Sequence, residues 1–121
     1  MPRTLLDESH VHPAVRDAVS HLHAEVVHNV HAASQSNSVL VVGMASNPFV
    51  KRARKALDAA AVPYQYLEFG SYFSQWNQRL ALKMWAGWPT FTMVFVKGTL
   101  VGGANDLTKL IASGELKRLL A

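Results

Sequence analysis

Apolar and polar positions recur along this chain with two different periods, and the switches between them mark out its elements. Val15, Val19, Leu22, Val26 and Val30 fall at helical spacing behind Pro13, which suits a first helical position. This predicts one helix over about 13–33 whose valine stripe packs on the rest of the molecule. The polar run 34–38 has no period and reads as a connector. The continuous apolar run 39–42, closed by Gly43, fits a strand covered on both faces. Asn47 then caps a helix with Pro48 at its first position, continuing through Lys51, Arg52, Arg54 and Leu57 to about residue 60. With Val62-Pro63 and the alternating run 64–69 this makes a strand–helix–strand unit, which implies parallel neighbours. A helix comes next over about 71–85, with Phe73, Trp76, Leu80 and Met84 on one face and Arg79 and Lys83 on another. The apolar run 91–96, the turn Lys97-Gly98 and the run 99–101 predict a β-hairpin. Gly102-Gly103 leads into a last helix with Asn105 as its N-cap and Asp106 in its first turn, broken at Ser113-Gly114.

Composition narrows the reading. A chain of 121 residues, half of them hydrophobic and 17% charged, has the size and balance of one globular domain. Its apolar runs are far below the roughly 20 residues that span a bilayer. Met1-Pro2-Arg3 leads to Asp7 and Glu8 without an apolar signal segment, so a cytoplasmic protein with no membrane contact is expected. The net charge of +4 fits a small anionic ligand or an acidic partner. No nucleic-acid-binding motif accompanies it. The absence of cysteine excludes disulfides, thiolate metal ligands and any thiol exchange carried by the chain itself.

All six histidines precede Ser38. On a continuous helix His21, Glu25 and His28 would share the side opposite the valines, near Asp17, because spacings of four and seven meet on one face. A borderline metal such as zinc, nickel or copper could use that row, which is the alternative reading of the chain as a metal-binding or sensing protein. An exposed row alone is an incomplete and flexible ligand set, so no metal is expected and the simpler reading is a solvated helix face.

The run Trp88-Pro89-Thr90-Phe91-Thr92, the apolar strand after it, the Gly102-Gly103 pair with an acidic residue behind it, Arg79 and Lys83, and Asn47-Pro48-Phe49-Val50 carry a family resemblance. From about Ser38 to its end the chain resembles the glutaredoxins, the monothiol class in particular. The resemblance implies a thioredoxin-like βαβαββα domain with a four-stranded mixed sheet over 38–121, preceded by a His-rich helical extension over 1–37. It also implies where the family's chemistry sits. The cysteine that opens the first helix of the domain corresponds to Asn47, whose carboxamide has no redox chemistry and serves as a cap. The second cysteine of dithiol members corresponds to Val50, while Phe49 matches an aromatic of the motif. The lysine that monothiol members keep just upstream is Met44 here. The cis-proline is Thr92, and because a cis bond before a non-proline costs about 2.5–4 kcal/mol, a trans Phe91–Thr92 bond is expected. The acidic residue after Gly-Gly-x is Asn105, with Asp106 next to it; Asn105 could receive an α-amino group through its side-chain oxygen. Arg79 and Lys83 match basic positions that face the glycine end of glutathione, a small anion clamp.

Together these imply a glutaredoxin-like module without thiol chemistry. Part of a groove for glutathione, another small anion or a protein partner would be kept by Phe49, Arg79, Lys83, Phe91, Thr92, Asn105 and Asp106. No residue is expected to be catalytic. An iron–sulfur cluster ligated by glutathione needs the protein's cysteine and is not expected either. The competing enzymatic reading places the Ser46 hydroxyl at the helix start, holding a glutathione thiolate as in glutathione transferases of the serine type.

Overall fold

The strands at the centre of the molecule are apolar at every position because helices cover both faces of the sheet they form. The structure, a computed structural model, describes residues 3–71 and 73–121. After a short 3-10 turn (Glu8–His10) come α1 (Pro13–His21), α2 (Ala24–Ser36), β1 (Val39–Gly43), α3 (Pro48–Ala59) and β2 (Gln65–Glu68). The chain continues through α4 (Trp76–Ala86), β3 (Met93–Val96), β4 (Thr99–Gly102), α5 (Ala104–Ala112) and α6 (Glu115–Leu120). The sheet order is β2-β1-β3-β4, with β1 parallel to β2 and the other two pairs antiparallel. This is the four-stranded mixed sheet of a thioredoxin-like fold, as the sequence implied.

Side-chain alternation along the strands builds two cores. Val39, Val41, Val94 and Val96 face one way and meet Ala53 and Leu57 of α3, Leu107 of α5 and Leu116 of α6. Leu40, Val42, Met93 and Phe95 face the other way and meet Val30 of α2 and Leu82 of α4. Val30 is fully buried and Val26 and Val27 pack beside it, so the N-terminal segment supplies part of that second core. Among the described residues no helix is long and apolar enough to cross a membrane.

Three elements differ from the sequence reading. The single helix over 13–33 is two helices, because Leu22 is extended and His23 is left-handed at φ 44°. A side chain with a Cβ costs about 1–2 kcal/mol in that region, and the bend lets α2 seat Val30 while Val15 and Val19 of α1 stay half exposed. The helix expected over 71–85 begins at Trp76 instead. The Ser71 and Ser74 hydroxyls bind the backbone of Phe73 and Ser71, and such local bonds compete with a helical start; Tyr72 lies outside the described residues. Its apolar face also points outward, with Phe73 93%, Trp76 62%, Leu80 49% and Met84 46% exposed, while Arg79, Ala81 and Leu82 are buried. Finally, α5 is capped by Gly103 and not by Asn105. Gly102, at φ 115°, turns the chain so tightly that a Cβ there would stand 2.5 Å from the Asp106 carboxylate. That carboxylate accepts from the Gly103 N–H at 3.0 Å, which sets the helix start two residues earlier.

Candidate functional site

The start of α3, the loop before β3 and the exposed side of α4 enclose a groove whose floor is crossed by Asn47. The Asn47 Oδ1 accepts from the N–H groups of Phe49 (2.9 Å) and Val50 (3.2 Å), the capping role read from the sequence. Its Nδ2 donates to the Phe91 carbonyl at 3.2 Å. The side chain is 7% exposed, so this amide fills the position where a nucleophile would stand and ties up the backbone groups around it.

A hollow lies on each side of that bridge, and both are lined by Asn47, Thr90 and Phe91. The one toward α4, about 400 Å³, adds Met44, Trp76, Arg79, Leu80 and Lys83. Arg79 is 4% exposed, its Nη1 donating to the carbonyls of Phe69 (2.9 Å) and Ser74, with the guanidinium 5.0 Å from the Trp76 ring centre. A freely offered two-pronged clamp is therefore not what the structure holds, since one terminal nitrogen is spent on the fold. Among the described residues no carboxylate pairs with Arg79 or Lys83. Two carbonyls and the Trp76 face compensate part of the cost of burying this guanidinium, and an anion entering the hollow would supply the counter-charge it lacks. Lys83 stands over the Phe91 ring, its Nζ 5.9 Å from the centre. Met44 is buried in the second core, so the point where monothiol glutaredoxins have a cation is apolar.

The hollow toward α5, about 320 Å³, adds Phe49, Trp88, Thr92, Gly103, Asn105 and Asp106. The Phe91–Thr92 bond is trans, as expected. Thr92 is 2% exposed, and its Oγ1, like the Trp88 Nε1, has no hydrogen-bond partner among the described residues. Asn105 is exposed and its Oδ1 accepts from Arg52, so the oxygen expected to receive an amino group is already engaged. Arg52 also lies over the half-exposed Phe49 ring at 5.1 Å. Ser46 is exposed in a left-handed conformation (φ 61°) and lines neither hollow.

The histidine row does not form as drawn on a continuous helix. The bend at Leu22 and His23 parts His21 from Glu25 and His28, and the His21 Nδ1 lies 2.8 Å from the Asp17 carbonyl. Among the described residues no group of three or more histidine and acidic side chains could hold a metal ion. Sequence reasoning missed Arg52 in the site. Its partner is 53 positions away, and a cation on a helix surface gives no local sign of one.

The sheet order, the helix opening at residue 47 and the Trp88-Pro89-Thr90 loop facing it define a thioredoxin-fold protein. No family model matches the chain. A glutaredoxin-like protein of Dictyostelium discoideum is 44% identical over 102 residues, covering 84% of this chain and 83% of that protein. Among solved structures, oxidised glutaredoxin 2 of Chlamydomonas reinhardtii superposes with a TM-score of 0.70 at 28% identity over 80% of this chain and 92% of its own. A buckwheat glutaredoxin–glutathione complex does so at 0.69 and 22%, over 80% and 88%, a likeness of fold alone. The chain belongs to the glutaredoxin family, as a member that lacks both the active-site cysteine and the cis-proline. The Dictyostelium match is longer than the segment from Ser38 to Ala121, so it takes in part of the N-terminal helical segment as well.

Proposed function

We propose that this chain is a binding module that takes glutathione or a similar small anionic peptide in the groove beside Asn47 and carries out no thiol–disulfide exchange. The observation that carries the reading is Arg79: a buried guanidinium with no carboxylate partner among the described residues, lining a hollow beside Lys83. The buckwheat relative in complex with glutathione supports the choice of ligand. The bridge from Asn47 to Phe91 divides the groove, so the ligand engages chiefly the hollow toward α4. An anionic end lies near Arg79 and Lys83, and its centre gains little from a Phe91 carbonyl that is already satisfied. Without a cysteine the chain contributes no thiolate to an iron–sulfur cluster and forms no mixed disulfide.

The test is an NMR titration with reduced and with oxidised glutathione. Saturable shifts at Lys83, Arg79 and Phe91 are expected, weakened at least about tenfold by Lys83→Glu, as loss of a charge pair in a partly buried site implies. No shift at millimolar ligand would overturn the groove reading. Turnover of a glutathione mixed disulfide by the pure protein would overturn the absence of exchange.

A further inference from the structure

We propose that the outward face of α4 docks an acidic amphipathic helix from a partner protein. Trp76, Leu80 and Met84 stand four residues apart and so form a ridge along one side of α4. All three are 46% or more exposed, and Phe73 extends the ridge at 93% exposed. A contiguous apolar ridge of this kind marks an interaction surface more often than an idle one. The opposite side of α4 is spent on α2 and the sheet, where Ala81 and Leu82 are buried; on the ridge itself Met84 borders a hollow shared with Val19, Leu22 and Val27 of the N-terminal helices, and Trp76 and Leu80 border the groove beside Asn47.

The surrounding charge says what covers it. No Asp or Glu occurs between Phe69 and Asn105, and this segment places Lys83 on α4 beside Trp76 and Leu80. The N-terminal segment adds Arg3, whose guanidinium lies against Gly87 just past the end of α4 and shares a hollow with Lys83, Met84 and Pro89. At the other end of α4, Gln75 makes no side-chain capping bond, which leaves the first helical N–H groups open. The ridge is thus rimmed by positive charge at both ends, and the complement is acidic. The four-residue spacing favours a helix as the occupant, because ridges at that spacing seat in the grooves of another helix. A second copy of this chain fits poorly, since neither α4 nor the loop after it would bring a carboxylate to the other copy's Lys83 and Arg3.

The probe is a fluorescein-labelled helical peptide of about 16 residues, a length that matches or exceeds α4 and can hold helical structure. Leucines are placed on one face and glutamates elsewhere, and a counterpart has every glutamate replaced by lysine. The glutamate peptide is expected to bind with saturable anisotropy and to shift the amides of α4, while the lysine peptide does not bind. Phe73→Glu and Met84→Glu, each checked for folding by circular dichroism, weaken that binding by about tenfold or more. Neither residue lines the groove beside Asn47, so glutathione shifts persist in both variants. If glutathione fails to bind wild-type protein but the peptide binds, the groove reading falls and docking stands. Docking is overturned by any of four results: no peptide binding at millimolar concentration, equal binding of the two peptides, binding unchanged in both variants, or partition of the protein onto phosphatidylserine vesicles without peptide binding.

Discussion

Asn47 spends its carboxamide on three backbone groups, two N–H donors at the start of α3 and the Phe91 carbonyl. Asn47→Ala removes all three, and a loss of about 1–2 kcal/mol is expected in urea unfolding from the cap alone. Asn47→Cys places a thiol on the open end of a helix, where the dipole and free N–H groups favour the thiolate. Its alkylation by iodoacetamide should show a midpoint below the roughly 8.5 of a free cysteine; a midpoint at or above that value would mean that the site no longer supports an anion. Thr92 offers the opposite experiment, because its buried hydroxyl has no partner among the described residues. Thr92→Val keeps the shape and removes an unsatisfied group, so a gain of about 1 kcal/mol is expected in the same unfolding assay. The capping role of Asn47 was legible in the sequence, since Asn-Pro before an amphipathic run is a local signal. The bond to Phe91 was not, as its two ends are 44 positions apart.

At the level of elements, the apolar runs revealed the strands and their partners, and the misjudged boundaries lie where a short-range bond outcompeted the period. The serines at 71 and 74 delay α4, and Asp106 pulls the start of α5 back to Gly103. The bend at His23 had only a weak local marker, histidine being enriched in the left-handed region but far less telling there than glycine or asparagine. Its cause is tertiary: α2 must lay Val30 on the sheet. Gly102→Ala tests the junction of β4 and α5, because the new methyl would meet the Asp106 carboxylate at a backbone angle that alanine avoids. A loss of more than about 1 kcal/mol is expected, with α5 amides exchanging faster at their N-terminal end.

For the molecule as a whole, the two-sided sheet binds the N-terminal helices and residues 38–121 into one body. Deleting residues 1–37 removes Val30 and the packed side chains around it, uncovering Leu40, Val42 and Phe95. Such a fragment should bind a hydrophobic dye and aggregate at concentrations where the full chain does not. A fragment that stays monodisperse and dye-free would show that the sheet needs no such cover. The tryptophans have a further consequence. Trp76 lines the groove, Trp85 stacks between His31 and Phe95, and Trp88 sits in the loop between α4 and β3. The core packed between the sheet and α3, α5 and α6 has tyrosines at its margin and no indole, and only Trp88 approaches that side, at Gly103. Intrinsic emission, excited so as to spare tyrosine, is therefore a label-free optical gauge: a ligand or helix arriving at α4 changes its colour through Trp76 and Trp85, while on the opposite layer it senses only the start of α5, through Trp88.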